Sequence, residues 1–541
     1  MGTREHPPPT DEEPYRDVAD LSWLTNGLRR LKLLGPPKAP PAEQLALFGP
    51  PKPLKPAAGP DGGDEPTNAP IAKDWRARIV LGLAVVGYVA LFTRWTFQNQ
   101  DALGTQAFDL GIFDQGVWLL SQFREPFVTI NGRNLFGDHT SLILLPFAAV
   151  YWVLPTAKTL LFAQAAALGA GAIPTFLLAR RLLRNELLAA GLGLAYLLQP
   201  VLSWTNMEHF HPDVFEVPLV LFAFWFVVER RWLGYFVCVG LLLLVKEDVG
   251  LLTLGLGAYV AWKHDRRIGL ITCAASVAWL AAAFWVIIPA FNPGGTVYTG
   301  RIPFGGPSGF LRKAVSEPGE VLDYLLIKER AWYVWQLFAP LGLVAVVAAP
   351  VLVALAGPLA LNLISSFPYQ YDIRYHYSTL ILPVLVAATV FAVSSDRLRS
   401  RRGASVGIVL AASVFGAHLW GATPLGRDEP FVAARGSETV ASFRRAQQLL
   451  PDGAIVSAYY GWVPQISHRP EIYMFPNPFK ASYWGAFKQE GQRLPQADRV
   501  QYLLLPTQLD REPKEVLDGI RAQFETVYEE DGVLLMRRPV G

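Results

Sequence analysis

The chain has 541 residues, of which 52% are hydrophobic and 17% are charged. Its formal net charge of +3 is uninformative as a total, because the distribution of charge along the chain carries the signal. The very apolar middle, roughly residues 77–421, is typical of a protein with many membrane spans, and no nucleic-acid partner is expected. Cys238 and Cys273 both lie inside apolar segments, so they predict no disulfide framework. The sequence contains no Walker loop, Rossmann glycine pattern or paired-cysteine zinc motif.

Residues 1–76 are polar and rich in proline, which is typical of a disordered tail. This segment lacks the apolar core of a signal peptide, so we expect the first membrane span to direct insertion. Residues 20–34 carry leucine, tryptophan and arginine at helical spacing. Either an amphipathic helix on the inner membrane surface or a fluctuating helix fits that pattern.

Apolar spans fill the predicted membrane domain, residues 77–424. A full crossing needs about 20 residues, and several of these spans are shorter. The predicted spans are 77–95, 140–155, 159–179, 187–203, 214–228, 232–245, 249–262, 268–290, 331–347, 349–366, 377–393 and 404–421.

The two ends of the spans carry different residues. Basic runs lie at one end, which the positive-inside rule assigns to the cytoplasm; they are Arg180-Arg181, Arg230-Arg231, Lys263-His-Asp-Arg-Arg267 and 397–402. Clusters of acids, histidines and tyrosines lie at the other end; they are 109–114, 137–139, 208–213, 246–248 and 371–377. Ionisable groups near membrane depth are costly, so these outer clusters are functional candidates.

The number of crossings follows from keeping residues 1–76 and the basic loop at 180–184 on the same side. That requirement makes 140–155 a short interfacial or re-entrant helix, leaves eleven crossings, and places the C-terminus outside. Twelve crossings, with the positive-inside rule violated at Arg180-Arg181, are the alternative.

Two outer loops are long. In the first, 96–139, an amphipathic stretch over 108–123 is expected to lie along the membrane surface. The second, 291–330, is rich in Gly and Pro and indicates either a mobile lid or a disordered connector.

Residues 425–541 change character and predict a small extracytoplasmic α/β domain. Its expected elements are a helix over 439–450, a strand over 454–460, a strand over 502–505, a helix over 513–524, and a hairpin of 525–529 with 533–537 that turns at Asp531-Gly532.

The acids of the first outer loop are candidates for catalysis. Asp109 could act as a general base for a hydroxyl acceptor, or it could cap the following helix. Asp114 lies five residues on, about 140° around a helix from Asp109, so the two need not act as a pair.

Three further outer clusters suggest ligand binding. His209 and His211 with Asp213 could bind a divalent cation, or they could make hydrogen bonds within their loop. The short spans around Lys246-Glu247-Asp248 would recess these charges below the outer surface. Arg374, His376 and Tyr377 fit an anionic headgroup and a sugar or lipid platform, with an ordinary interfacial tyrosine belt as the alternative.

Five motifs together resemble an uncharacterised bacterial multi-pass membrane protein family, a domain of unknown function, over about 75–540. The motifs are Asp109-Leu-Gly-Ile-Phe-Asp-Gln115, Gly137-Asp-His139, Phe210-His-Pro212, Lys246-Glu-Asp-Val-Gly250 and Ile373-Arg-Tyr-His-Tyr377. That family is in turn similar to the C-type glycosyltransferases, which take a sugar from a polyprenyl-phosphate donor on the outer face of the membrane. Their catalytic Asp lies in the first outer loop, the position that Asp109 matches. This chain has no clear Asp-x-Asp pair and no proline-rich lysine motif of the kind seen in those relatives.

The resemblance implies an α-helical polytopic protein of the bacterial cytoplasmic membrane that transfers a sugar from a polyprenyl-phosphate donor to an acceptor hydroxyl. The expected catalytic residues are Asp109 and Asp114, and the expected substrate-binding residues are His139, His209, His211, Lys246, Glu247, Asp248, Arg374, His376 and Tyr377. The expected partners are the lipid-linked sugar, membrane lipid, and an envelope glycan, lipid or protein as acceptor. No cofactor is firmly indicated, and a divalent cation stays open. The alternatives are a transporter or lipid flippase, and a non-catalytic membrane scaffold.

Overall fold

The computed structural model describes residues 73–434, 436–483 and 489–539. The predicted proline-rich tail falls almost entirely on residues 1–72, and its amphipathic segment at 20–34 falls wholly there. Both therefore lie outside the described residues.

The described chain is mostly helical. Its α-helices are α1 Trp75–Asp101, α2 Ile112–Ser121, α3 Leu135–Asp138, α4 Leu145–Tyr151, α5 Ala157–Ala170, α6 Ala172–Leu183, α7 Glu186–Leu197, α8 Pro200–Met207, α9 Glu216–Val228, α10 Trp232–Leu243, α11 Val249–Lys263, α12 Arg266–Ala282, α13 Ile288–Phe291, α14 Gly306–Ser316, α15 Pro318–Leu325, α16 Lys328–Phe338, α17 Ala356–Ile364, α18 Leu382–Ser394, α19 Arg402–Trp420, α20 Glu438–Gln448 and α21 Arg511–Ile520. Several shorter 3-10 and π segments lie between them.

Five helical segments of the described chain are long and apolar enough to cross a membrane by length and composition, or six if the pair α7 and α8, bent by 43°, is one span. The five are Trp75–Asp101, Ala157–Leu183, Arg266–Phe291, His376–Ser394 and Asp396–Trp420. Other apolar helices, including α10 and α11, have 10–17 residues. Eleven crossings therefore stay a prediction.

Two sets of contacts mark the opposite ends of α1 and of the unit formed by α5 and α6. At the basic end, Arg78 and Arg180 each donate a hydrogen bond to the carboxylate of Glu186, at 2.8 and 2.6 Å. At the other end of the same spans, the Lys158 ammonium donates to the Asp101 carboxylate at 2.8 Å. Helix α1 and the unit of α5 and α6 therefore run in opposite directions. The intervening segment Leu142–Tyr151 is only a short apolar helix.

The pair α11 and α12 packs closely enough to require glycine. A Cβ atom added at Gly257 would lie 2.9 Å from the backbone nitrogen of Cys273, which real Cβ atoms do not approach. The turn before this pair joins α10 to α11 and carries Lys246, which is 6% exposed. The short helices thus recess this charge, as the sequence predicts.

The C-terminal part forms a five-stranded sheet. Its strands are β3 Val456–Ala458, β4 Ile472–Met474, β5 Tyr502–Pro506, β6 Glu525–Glu530 and β7 Val533–Arg537, and their order is β4-β3-β5-β7-β6. Strand β3 is parallel to β4 and β5, and β7 is antiparallel to β5 and β6. The predicted hairpin is present. Strand β4 lies between the predicted strands 454–460 and 502–505, where the sequence predicted no strand.

The first outer loop is buried under this sheet. Strands β1 Phe127–Val128 and β2 Arg133–Asn134 form a small antiparallel hairpin, and one apolar cluster joins the loop to the sheet through residues such as Val117 and Val456. Nearly every residue of α2 is buried. The expectation that 108–123 lies along the membrane surface stays a prediction. The second outer loop holds the helices α14 and α15, which the sequence did not predict.

Candidate functional site

The outer polar clusters converge on one cavity of about 380 Å³. Each of the clusters at 109–114, 137–139, 208–213, 246–248 and 371–377 contributes at least one lining residue. The ionisable lining residues, tyrosines aside, are Asp109, Arg133, Asp138, His139, Glu208, His211, Asp213, Lys246, Arg301 and His376. The aromatic side of the cavity is formed by Phe108, Phe113, Tyr298, Phe367, Tyr369, Tyr375 and Tyr377.

Asp109 lies on a kink of the backbone just before α2. Its φ of 66° and ψ of −86° are not helical and lie near the values of a classic γ-turn, which is rare and strained. Strained backbone of this kind concentrates at functional sites. The side chain is 38% exposed, and one carboxylate oxygen lies 3.1 Å from Nε2 of His211. The kink thus presents the carboxylate to the cavity instead of capping the helix.

His211 and Asp109 shift each other's titration. Burial favours the neutral carboxyl, but the positive charge of His211 outweighs it and lowers the pKa of Asp109. Burial also favours neutral imidazole, but the charge of Asp109 raises the pKa of His211 to about 9. At neutral pH the pair is therefore an ionised carboxylate beside an imidazolium.

Lys246 is held by a buried acid. Its ammonium donates to the Asp213 carboxylate at 3.1 Å, and the two side chains are 7% and 8% exposed. Behind it, the Glu247 carboxylate accepts hydrogen bonds from the His139 ring at 2.7 Å and from the Thr140 backbone N–H at 3.1 Å. Buried charges need such partners. These hydrogen bonds hold the Lys246 ammonium and the His139 ring in fixed orientations.

Arg301 is different, because no ion pair joins it to a carboxylate within the part of the chain that the structure describes. Its guanidinium lies 4.5 Å from the ring centre of Tyr298 and 4.3 Å from that of Phe367, and it donates to the Tyr377 hydroxyl at 3.3 Å. Aromatic faces stabilise a cation without neutralising it. Arg301 therefore brings positive charge into the cavity without an ion pair to a described carboxylate.

Glu208, His211 and His376 lie close enough together to hold a metal ion, with their ligand atoms within 4.8 Å of one another. Nδ1 of His376 lies 3.1 Å from the Glu208 carboxylate, and the rings of His211 and His376 stack with centres 3.6 Å apart. Burial raises the pKa of Glu208 well above its usual range. The sequence grouped His211 with His209 and Asp213 instead.

Arg374 does not line this cavity, although it belongs to the expected substrate-binding set. Its guanidinium binds the carboxylate of Asp372, two residues earlier, at 2.6 to 3.1 Å through two nitrogens, and its side chain is 60% exposed. It lines a separate groove that also contains Trp332 and Trp420. A local acid holds it away from the site.

Asp114 is also misplaced in the predicted catalytic set. It is 1% exposed, and its carboxylate accepts hydrogen bonds from the Tyr151 hydroxyl at 2.6 Å, from the Ser467 hydroxyl, and from the His468 ring at 3.2 Å. It borders a second cavity, on the side facing α20. Asp114 therefore ties α2 to the C-terminal part.

Three other predicted residues stand outside the cavity lining. Glu247 supports His139 from behind. Asp248 precedes α11, and one of its carboxylate oxygens is buried without a hydrogen-bond partner. His209 has a φ of 80°, its carbonyl accepts from the Gln164 amide at 2.6 Å, and burial lowers its pKa to about 4.

The predicted substrate-binding set lacks several residues that line the cavity. Glu208, Asp138 and Asp213 belong to motifs that the sequence analysis singled out, so those motifs were a usable signal. Tyr298 and Arg301 had none, because they lie in the Gly- and Pro-rich loop. The structure fixes them by long-range contacts: the Tyr298 hydroxyl donates to Asp138 at 2.7 Å, and the Arg301 carbonyl accepts from the backbone N–H of Ser366.

The fold and the cavity define a polytopic membrane protein whose polar loops meet in one site. Residues 99–535 match the family described as "Predicted membrane protein (DUF2079)", and the chain belongs to that family. This confirms the resemblance to an uncharacterised membrane family. No curated protein sequence matches the chain significantly.

Among solved structures, the chain is similar to ArnT from Cupriavidus metallidurans bound to undecaprenyl phosphate. The identity is 13%, the match covers 86% of this chain and 98% of that chain, and the TM-score is 0.49. It is also similar to the apo state of the same protein, with 13% identity, 84% and 98% coverage and a TM-score of 0.47.

Proposed function

We propose that this chain is a membrane glycosyltransferase that moves a sugar from a polyprenyl-phosphate donor to an acceptor hydroxyl. One observation supports this most: the same cavity is lined by the ionised Asp109 and by Arg301, a cation without a carboxylate partner among the described residues. Such a cavity offers a base and an anion site together. The resemblance of the loop motifs to C-type glycosyltransferases points the same way.

The donor phosphate would bind Arg301 and Lys246. A guanidinium can contact two phosphate oxygens at once, and Lys246 adds a point charge from the turn between α10 and α11. The aromatic side of the cavity, including Tyr298, Phe367 and Tyr377, would contact the sugar or the first part of the lipid. Arg301 thus takes the role that the sequence gave to Arg374.

In the reaction, the acceptor oxygen forms a bond to the anomeric carbon while the bond from that carbon to the phosphate oxygen breaks. Direct displacement of this kind inverts the anomeric centre. Asp109 accepts the proton of the acceptor hydroxyl. Arg301 and Lys246 stabilise the negative charge that develops on the leaving phosphate.

The lowered pKa of Asp109 fits this sequence of events. His211 keeps the carboxylate ionised. A bound phosphate adds negative charge nearby, which raises the pKa of a carboxyl group. Donor binding would therefore make Asp109 a stronger base when it is needed.

Asp109→Asn tests the proposal. The amide keeps the shape of the side chain but cannot accept the proton, so we expect release of polyprenyl phosphate from polyprenyl-phosphate pentoses and hexoses to fall about 10²–10⁴-fold. The purified protein in lipid nanodiscs, with product detected by mass spectrometry, gives the measurement. Asp372→Asn is the matched control, because Asp372 lines the separate groove. Equal rates for both variants, or transbilayer movement of lipid that still carries its sugar, would contradict transfer.

We further propose that the protein lies in the bacterial cytoplasmic membrane with residues 1–76 inside, the domain 425–541 outside, and the acceptor in the cell envelope. The separation of the basic span ends around Glu186 from the polar cavity supports this orientation. Reporter fusions at the two ends of the chain check it. Finding both ends on one side would refute the eleven-span topology.

A further inference from the structure

We propose that Glu208, His211 and His376 form a binding site for one divalent transition-metal ion, with Zn²⁺ as the best fit. The three residues come from the loop after α8 and from the segment before α18, and all line the cavity. Metal binding here would occur whether or not the chain transfers a sugar.

The three ligand atoms lie somewhat farther apart than the ligands of a bound metal ion. The three ligand atoms lie within 4.8 Å of one another. Bonds of about 2.1 Å in a tetrahedral site place ligand atoms roughly 3.4 Å apart. Metal binding therefore requires the ligand atoms to move together by at most about 1.4 Å.

The burial and hydrogen bonding of His211 support the metal site independently. His211 is 3% exposed, and neither of its ring nitrogens makes a hydrogen bond to any residue that the structure describes. The contact of Nε2 with Asp109, at 3.1 Å, is an ion-pair distance without hydrogen-bond geometry. Buried polar atoms without a partner are rare and costly, so a ligand that occupies one of these nitrogens would stabilise the site.

The donor types favour a transition metal. Glu208 and Asp109 bring two carboxyl groups to two neighbouring imidazoles, and an ion of charge +2 would replace the protons that His211 and Glu208 hold. Two imidazole nitrogens and one carboxylate oxygen suit Zn²⁺, Mn²⁺ or Fe²⁺, whereas Mg²⁺ and Ca²⁺ prefer oxygen alone. Three protein ligands leave a fourth position open toward the cavity, where water or a phosphate oxygen can bind.

A second histidine of the same cavity shows the contrast. His139 is paired with Glu247 at 2.7 Å, and the other oxygen of Glu247 accepts from the Thr140 N–H. These groups satisfy one another without an ion. His139→Ala is therefore the matched control for the proposed ligands.

The test uses the full chain purified in detergent with a tag free of histidine, stripped with chelator, and loaded with ZnCl₂. We expect about one Zn²⁺ per chain by elemental mass spectrometry, and a higher Tm with Zn²⁺ than without it. Loss of a residue that only supports a metal ligand weakens metal binding about 10–100-fold. His211→Ala and Glu208→Gln remove ligands, so they should weaken Zn²⁺ binding by more than that, and His139→Ala should bind Zn²⁺ as the wild type does.

The wild-type protein alone keeps the proposal testable if a variant fails to fold. Co²⁺ in place of Zn²⁺ should give the visible absorption of a four- or five-coordinate nitrogen and oxygen site. Less than stoichiometric Zn²⁺ in the wild type would overturn the proposal. So would the spectrum of six-coordinate aqueous Co²⁺, or equal Zn²⁺ affinity of folded His211→Ala and wild type.

Discussion

Replacement of Arg301 by Gln should weaken binding of polyprenyl phosphate without unfolding the protein. A hydrogen bond to a charged group contributes about 1.5–3 kcal/mol, which is about a 10- to 150-fold change in Kd. The cost in stability should be small, because Arg301 has no ion pair with a carboxylate among the described residues. Its contacts with Tyr298 and Phe367 contribute about 0.5–1 kcal/mol each. Arg301→Lys keeps the charge but loses the planar fork, so its affinity should be intermediate.

Native mass spectrometry of the purified protein with undecaprenyl phosphate measures this affinity. Arg374→Gln is the matched control, because Arg374 has the same charge but pairs with Asp372 outside the cavity. We expect its affinity to equal that of the wild type. If Arg374→Gln binds as weakly as Arg301→Gln, or if neither variant differs from the wild type, the assignment of the phosphate site is wrong.

Two further predictions concern buried pairs. Lys246→Met leaves the Asp213 carboxylate buried without its partner, so it should lower the free energy of unfolding by about 3–5 kcal/mol. The double variant Lys246→Met/Asp213→Leu should lose much less stability, because no unpaired charge remains. Equal losses for the two variants in denaturation curves would contradict the ion pair. Burial opposes protonation of His468, but the Asp114 carboxylate raises its pKa, so the stability that this pair adds is fully present below about pH 6.5 and is lost as pH rises through the raised pKa. The Tm of the wild type should decrease over that pH range, and the decrease should be smaller for His468→Asn. An identical pH dependence of Tm for both proteins would contradict the role of Asp114 in joining α2 to the C-terminal part.

The meeting of the outer clusters could be predicted from the sequence. Each cluster lies at the same kind of span end, and antiparallel spans bring such ends together. The structure places Asp109, His211, Lys246 and His376 around one cavity, as this pattern requires. The sheet order could not be predicted, but the hairpin at Asp531-Gly532 could, because its turn residues are local.

Asp114 and Arg374 were wrongly expected in the site because each has a partner that the sequence did not reveal. The partners of Asp114 are distant in the chain, and the partner of Arg374 lies only two residues away. Asp114 looked like a second catalytic acid, since nothing near it in sequence shows that Ser467 and His468 bind it. Arg374 looked free to bind phosphate, but Asp372 also accepts from its backbone N–H at 3.0 Å and so fixes the turn that pairs them. Arg301 gave no signal, because a single arginine in a Gly- and Pro-rich loop is common.

The place where a polyprenyl phosphate binds is the central claim, and a cryo-electron-microscopy structure with undecaprenyl phosphate added to the purified protein in nanodiscs measures it most directly. We predict phosphate density within hydrogen-bond distance of Arg301 and Lys246, in the cavity that Asp109 lines. Phosphate density in the groove of Arg374 and Trp420, with the cavity of Asp109 empty, would contradict the account.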